Sequence, residues 1–323
     1  MSFNEVKEFI EEGDVVILYL GHNNMHSLEI KAKIPNKNGE MVDNVFQTKY
    51  GALRVFSLVG HKYGTMKKLS KGWVYVLQPT SELWTLTVPH RTQIIYSPDI
   101  SLIIHLLDLV PGNIIIETGT GSGSLSHALI RAIRPHGHLY TFDFHEQRVN
   151  IAQAEFERHG LSKFVTSSHK DVCMEGFGKE LETKADAIFL DLPHPWLAID
   201  HAVVTLKKSG GKLCSFSPCI EQVQRTCAKL VSKGFIELNT YECLQREVHV
   251  QYRNLSILNL EYLYMYKYHN SNDTNMAQQS EYEKEEKKLL TGIHAHSLPG
   301  HTGFITIATL PPFCVRKIEM DLK

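Results

Sequence analysis

The chain has 323 residues, with 34 Lys and Arg against 35 Asp and Glu, a net charge of -1 and 43% hydrophobic residues. That length holds one large or two modest domains with a core to bury, and near-neutrality means that any polyanion meets a strongly patterned surface or one shared with another chain. There is no apolar run of bilayer length, no basic leader and no C-x-x-C pair among six cysteines, and the 18 histidines lack paired zinc spacing; an intracellular protein with reduced thiols and no metal role is expected.

Residues 1–88 read as a small β-barrel-like domain. Short strands are predicted at Val15 to Leu20, Leu28 to Ile34, Ala52 to Val59 and Trp73 to Leu77, separated by Gly, Asn and Pro turns. Basic Lys62, Lys67, Lys68, Lys71 and Arg91 are interleaved with Tyr63, Trp73 and Trp84. That composition suits an RNA-facing surface and equally well an ordinary solvated face.

From residue 89 to 323 the rhythm changes to α/β. Ser97-Pro98 starts a helix, with Ser97 as cap and Pro98 at the first helical position, and Ile100, Ile103, Ile104 and Leu107 lie on one face. After Pro111-Gly112, strands and helices alternate: strand Ile114 to Glu117, helix about 123–134, strand His138 to Phe144, helix about 146–159, strand Lys163 to Ser168. Strand Ala185 to Leu190, helix about 196–207, strand Lys212 to Phe216, helix about 219–232 and strand Phe235 to Tyr241 follow. Such alternation predicts a doubly wound, largely parallel sheet. Near the end, Glu247 to Tyr252 and Gly303 to Thr309 are predicted to form a terminal antiparallel hairpin. Between them, residues about 253–298 are too polar to offset their ordering entropy and read as a poorly ordered insertion, with a charged helix near 281–290 as the alternative.

The chemistry is expected at the carboxyl ends of the parallel strands. Ile114 to Ile116 run into Glu117-Thr-Gly119-Thr-Gly121-Ser122-Gly123-Ser124. Glycines here bring a ligand against bare backbone, but the spacing is neither that of a dinucleotide loop nor that of a P-loop, and an acid beside the loop suits a cation and repels a pyrophosphate. The pattern acid-x-G-x-G-x-G resembles motif I of class I S-adenosylmethionine-dependent methyltransferases. The next strand ends in Asp143, whose carboxylate can accept both hydroxyls of a ribose. The third is followed by Asp171-Val172, an acceptor for an adenine amino group and an apolar wall. The fourth ends in Asp191-Leu-Pro193-His-Pro195-Trp196. One such acid alone is most often a turn or cap residue; four at successive strand ends point to an adenosyl cofactor.

Gly72-Trp-Val-Tyr-Val, Pro79-Thr-Ser-Glu-Leu-Trp-Thr, Pro89-His-Arg-Thr-Gln-Ile-Ile-Tyr-Ser97, the glycine loop, Asp191 to Trp196 and Cys214-Ser-Phe-Ser-Pro-Cys-Ile-Glu-Gln222 together resemble the catalytic-subunit family of the eukaryotic tRNA (adenine-N1)-methyltransferases, which act on the T-loop adenine. The resemblance spans nearly the whole chain, except about 253–298 and the loop from Ile34 to Thr48. It implies a class I methyltransferase, Rossmann-like fold behind the N-terminal β-domain, and S-adenosyl-L-methionine held by Ile95, Glu117, Gly119, Gly121, Ser122, Gly123, Ser124, Asp143, Arg148, Asp171, Val172 and Asp191. It implies Asp191 as the catalytic residue, a non-catalytic methyltransferase-like partner with two copies of each chain, and a nuclear location. It also suggests that Ser215, Ser217, Pro218 and Gln222 face tRNA. Tyr96 and Pro193 read either as walls for the target adenine or as strand-end packing. A class I enzyme acting on a protein carboxylate, a non-catalytic RNA-binding partner and a nicotinamide oxidoreductase are the competing readings; the Asp191 motif, the retained glycines and acids, and the glycine spacing speak against them in turn.

Overall fold

A seven-stranded sheet, parallel over five strands and covered on both faces, carries the strand ends at which the chemistry is expected. The structure is a computed structural model that describes residues 3–257, 285–295, 297 and 302–316. Residues 1–243 and 301–323 make one compact unit and 244–300 a second. The boundary expected at 88/89 lies within the first of these.

The N-terminal strands are β1 (Val15–Tyr19), β2 (Met25–Glu29), β3 (Lys33–Pro35), β4 (Met41–Asp43), β5 (Val45–Thr48), β6 (Gly51–Arg54), β7 (Thr65–Lys68) and β8 (Trp73–Leu77). The strand-rich region forms an open antiparallel sheet, β2-β1-β8-β7, with the two-stranded pairs β3-β4 and β5-β6. Two predicted strands are shorter than expected. The run from Leu28 to Ile34 breaks after Glu29, where Ile30 turns inward to full burial, and Ala52 to Val59 becomes β6 followed by a 3-10 turn at Val55–Leu58. Both Val55 and Leu58 are fully buried; the spacing of three serves a turn and not a strand. A helix the apolar pattern conceals follows, α1 (Ser81–Thr87), capped by the Thr80 hydroxyl accepting from Leu83 N.

The second sheet runs β11 (Val165–His169), β10 (His138–Asp143), β9 (Ile114–Thr118), β12 (Ala187–Leu190), β13 (Gly211–Ser217), β17 (Phe304–Leu310), β14 (Ile236–Glu242). Strands β9 to β13 pair in parallel, and β17 is antiparallel to both neighbours. Helices α2 (Ser97–Leu106), α3 (Ser124–Ile133), α4 (Glu146–Arg158), α5 (Val172–Glu175), α6 (Ile199–Thr205) and α7 (Ile220–Ser232) supply the covering layers. The period of two along each strand splits the core cleanly. Ile115, Ala187, Phe189 and Cys214 pack with α2, α3 and α4, while Ile116, Ile188, Leu190 and Leu213 pack with residues of α6 and α7. Each fully buried isoleucine contributes about 1.5–3 kcal/mol, which makes β9 the anchor of the edge it carries. The N-cap of α2 is Tyr96, one residue before the expected Ser97.

The terminal antiparallel strand is β17, but its partners differ from the expected pair. Glu247 to Tyr252 belongs to β15 (Val248–Ile257), which pairs with β16 (Glu285–His294), in the second unit. Strand β17 is apolar on both faces and so takes a place between two neighbours inside the large sheet, whereas the described residues of β15 are solvent-exposed on both faces. Glu285 to Leu290 is strand, not the alternative helix. The greater part of the expected poorly ordered insertion, 258–284, lies outside the described residues.

Candidate active site

A cleft of about 740 Å³ opens at the carboxyl ends of β9, β10, β12 and β13. All twelve residues expected to hold the cofactor line it: Ile95, Glu117, Gly119, Gly121, Ser122, Gly123, Ser124, Asp143, Arg148, Asp171, Val172 and Asp191. Its size falls within the roughly 300–1,000 Å³ of small-molecule sites.

The glycine loop is built as tightly against protein as it would be against a ligand. A Cβ on Gly119, whose φ is +83°, would lie 2.6 Å from the Asp191 carbonyl oxygen; one on Gly121 would lie 2.8 Å from Thr92 Oγ1. The first glycine therefore lets β12 end beside the loop, and the second lets residues 90–95 lie across it.

That segment is a strap, and the two loop serines hold it. Ser122 Oγ accepts from the backbone N–H of Arg91 at 2.9 Å and of Thr92 at 3.2 Å. Ser124 Oγ donates to the Ile95 carbonyl at 3.0 Å and contacts Thr85 Oγ1 of α1 at 2.9 Å. Arg91 closes the strap onto α4 with two bonds to Glu155, of 2.7 and 2.9 Å. So the hydroxyls of Ser122 and Ser124 are committed to the strap, although both residues line the cleft. Strap residues Thr92, Gln93 and Ile94 also line it. Of this segment the resemblance had named only Ile95 for the cofactor.

The carboxylates are electrostatically coupled. Asp143 Oδ2 accepts from Gly121 N at 3.0 Å and Oδ1 from His145 N at 2.9 Å, with an Arg148 guanidinium nitrogen 3.9 Å away. Glu117 is buried and accepts from Ser126 Oγ at 2.6 Å. Burial, with a smaller push from the charges of Asp191 and Asp143, raises its pKa to about 7 despite that bond and one from Thr141. Burial, and then the Asp143 charge, push Asp191 up to about 6. Three acids in one poorly solvated place make a negative potential that a cation relieves. Asp171 caps α5, accepting from Cys173 N at 3.0 Å, and beside it Val172 is 3% exposed.

The residues expected to face RNA divide. Pro193 and Pro218 line the cleft; Tyr96, Ser215, Ser217 and Gln222 are not among its lining residues. Ser215 and Ser217 are 0% and 1% exposed, on the side of β13 that packs inward with Leu213. This corrects the tRNA-facing assignment that the resemblance suggested: both serines lie within β13, which runs to Ser217, and on that strand it is the alternate residue Phe216 that lines the cleft. Gln222 spends its amide within the protein, Nε2 donating to the Pro193 carbonyl at 2.9 Å and Oε1 accepting from Cys219 N at 3.1 Å. It braces the loop after Asp191. Tyr96 is 37% exposed at the start of α2.

The basic-aromatic set in the N-terminal region is also thinned. Trp84 is 4% exposed in the core and Arg91 is the strap's ion pair. Tyr63 bonds Asp14, Lys62 pairs with Glu8, and Lys67 lies 2.6 Å from His61 Nε2. Lys68, Lys71 and Trp73 remain exposed, Trp73 in edge contact with Tyr75 at 5.2 Å.

A family model described as the tRNA methyltransferase complex GCD14 subunit matches residues 72–310. The chain belongs to this family. A relative from Dictyostelium discoideum, described as the catalytic subunit of a tRNA (adenine(58)-N(1))-methyltransferase, is 40% identical over 319 residues, covering 94% of this chain and 98% of its own. Two solved structures share the fold. A SAM-dependent O-methyltransferase from Thermotoga maritima has a TM-score of 0.69 at 24% identity, over 95% of this chain and 97% of its own. A tRNA (m1A58) methyltransferase from Aquifex aeolicus has 0.65 at 20%, over 93% and 98%. The GCD14-family match begins at Gly72, just before β8, and so takes in the strap, the glycine loop, Asp191 and β17.

Proposed function

We propose that this chain is the catalytic subunit of a two-component complex that transfers a methyl group from S-adenosylmethionine to N1 of the T-loop adenine of tRNA, the adenine numbered 58 in the descriptions of its relatives. The observation that carries this reading is the Asp191 carboxylate, set into the cleft beside the glycine loop with its pKa raised to about 6.

The cleft fits the cofactor by the chemistry of its donors and acceptors. Each Asp143 oxygen accepts one backbone N–H and retains a lone pair for a ribose hydroxyl. Val172 and Asp171 offer an apolar wall and an acceptor to an adenine, and Ile95 closes from the strap. The first-turn amides of α3 suit a carboxylate, while Glu117 and Asp143 suit the cofactor's cationic charge. When bound, S-adenosylmethionine supplies a methyl group activated by its sulfonium.

Adenine N1 has an in-plane lone pair and attacks without losing a proton first, so the site needs no strong base. Positive charge develops on the ring instead. At neutral pH Asp191 is largely ionised; it accepts a hydrogen bond from the exocyclic amino group, orients the ring and stabilises that charge away from bulk water. Pro193 and Pro218 form walls for the extruded base. Extrusion costs a few kcal/mol, supplied by contacts elsewhere on the tRNA.

A non-catalytic methyltransferase-like subunit, with two copies of each chain, and a nuclear location are part of the same proposal. The near-zero net charge supports a tRNA surface shared between chains. The test is to incubate the chain, alone and with a co-purified partner, with labelled S-adenosylmethionine and unmodified tRNA, and to map the product by nuclease digestion and mass spectrometry. Label at N1 of the T-loop adenine is expected; label at another atom, or on protein alone, overturns the reading.

A further inference from the structure

One turn into α3 from the glycine loop, His127 and His159 are buried together, each 2% exposed. Phe3 stacks on His159 with ring centroids 4.4 Å apart, and Trp84 and Phe156 each lie 5.4 Å from the His127 ring. The two imidazoles are not filler. His127 Nδ1 lies 2.6 Å from the Gly123 carbonyl oxygen, and its Nε2 lies 2.7 Å from His159 Nδ1.

Donor and acceptor arithmetic assigns the protons. A carbonyl oxygen only accepts, so His127 Nδ1 carries the hydrogen; its Nε2 is then a lone pair, so His159 Nδ1 donates to it. Burial depresses the pKa of both rings, His127 to about 4, which keeps this neutral arrangement intact across the physiological range.

Gly123 is the N-cap of α3 and the last glycine of the loop, with φ 74°. Its carbonyl also receives the His127 backbone N–H at 3.3 Å. In a trans peptide the carbonyl of Gly123 and the N–H of Ser124 point in opposite directions, so fixing one aims the other. Gly123, Ser124 and Leu125 line the cleft.

We propose that His127, held in a single tautomer by His159, is a positioning residue for the cofactor: its Nδ1–H fixes the Gly123 carbonyl and thereby aims the first-turn amides of α3 at the cofactor's carboxylate tail. This rests on the cofactor reading of the cleft. It also gives the segment around Phe3 and α1, which enclose the histidines, a part in cofactor affinity.

Two amide substitutions separate this role from packing. Asn places its amide nitrogen where His Nδ1 sits, and Gln reaches the position of Nε2. Calorimetric titration of S-adenosylmethionine into the purified chain with its partner is expected to give His127→Asn a dissociation constant within about threefold of wild type. His127→Gln and His127→Leu are expected to weaken it roughly tenfold, while kcat at saturating cofactor stays within about threefold. His159→Phe falls between. Melting temperatures recorded alongside report packing loss, which the Asn and Gln variants share. Equal affinities for Asn and Gln, whether both normal or both weak, overturn the proposal. Asp143→Ala in the same titration guards the premise: if it binds as wild type, the cofactor reading itself is wrong. If it is weak but the Asn and Gln order is absent, only the His127 role falls.

Discussion

The two halves of the carboxyl edge are finished to different degrees. At β9 and β10 the polar groups are tied within the protein: Glu117 to Ser126, Thr120 to Thr141, Asp143 to two backbone amides, Ser122 and Ser124 to the strap. At the end of β12 the side chain of Asp191 has no hydrogen bond among the described residues, and Pro193, His194 and Leu197 beyond it are exposed. A half whose donors and acceptors are already aimed binds a small ligand without reorganising. A half that lacks a partner for its acid acquires one only when the second substrate arrives. The difference separates holding from reacting.

The largest effect tests the reacting half. Asp191→Ala is expected to lower kcat by about a thousandfold or more in single-turnover methylation of unmodified tRNA, because it removes both the orienting acceptor and the charge facing the ring. A near wild-type rate assigns catalysis elsewhere. Asp143→Ala tests the holding half and is expected to raise the cofactor dissociation constant roughly a hundredfold, since it removes a charged acceptor and releases Gly121 N and His145 N. Next comes the strap. Arg91→Ala leaves Glu155 buried with Arg158 3.9 Å away as its remaining cation, and destabilisation of about 3 kcal/mol by chemical denaturation, with weaker cofactor binding, is expected. Unchanged stability would show that the two loop serines alone hold the strap. Gln222→Ala frees the Pro193 carbonyl and is expected to lower kcat about threefold, with cofactor affinity unchanged.

Protonation gives a gentler probe of the same contrast. The folded state raises Glu117 from 4.5 to about 7, so between those values it binds a proton that the unfolded chain has released. Stability of the cofactor-free protein from this group therefore falls as pH rises through that window and is level above it. The ionised form favours a cationic ligand, so cofactor affinity is expected to strengthen over the same window, and Glu117→Gln to flatten both curves. Denaturation and titration series from pH 5 to 8 measure this.

The alternation of strands and helices, the glycine loop and the strand-end acids were legible in the sequence because each depends on local spacing: a doubly buried isoleucine run, glycines at alternate positions, an acid at the end of an apolar run. What stayed hidden depends on distant contacts. Nothing near Arg91 in the chain announces Glu155, and a serine in a glycine loop looks the same whether its hydroxyl meets a ligand or a strap. Ser215 and Ser217 were misassigned because a serine near a strand end looks the same whether it faces RNA or the core, and only the packing of the folded sheet shows both turned inward. Strand β17 was paired with its nearest strand-like segment in sequence, whereas its apolar faces on both sides select the interior of the sheet. Trp84 looked like a surface aromatic because α1 was not visible in its apolar pattern.

The separation of the two halves is tested most directly by the cofactor affinity of Asp191→Ala, measured by calorimetry with S-adenosylmethionine in the absence of tRNA. A dissociation constant within about threefold of wild type is expected, because the holding contacts at β9, β10 and α5 are untouched. Weakening of about tenfold or more would contradict the account, placing Asp191 among the groups that hold the cofactor.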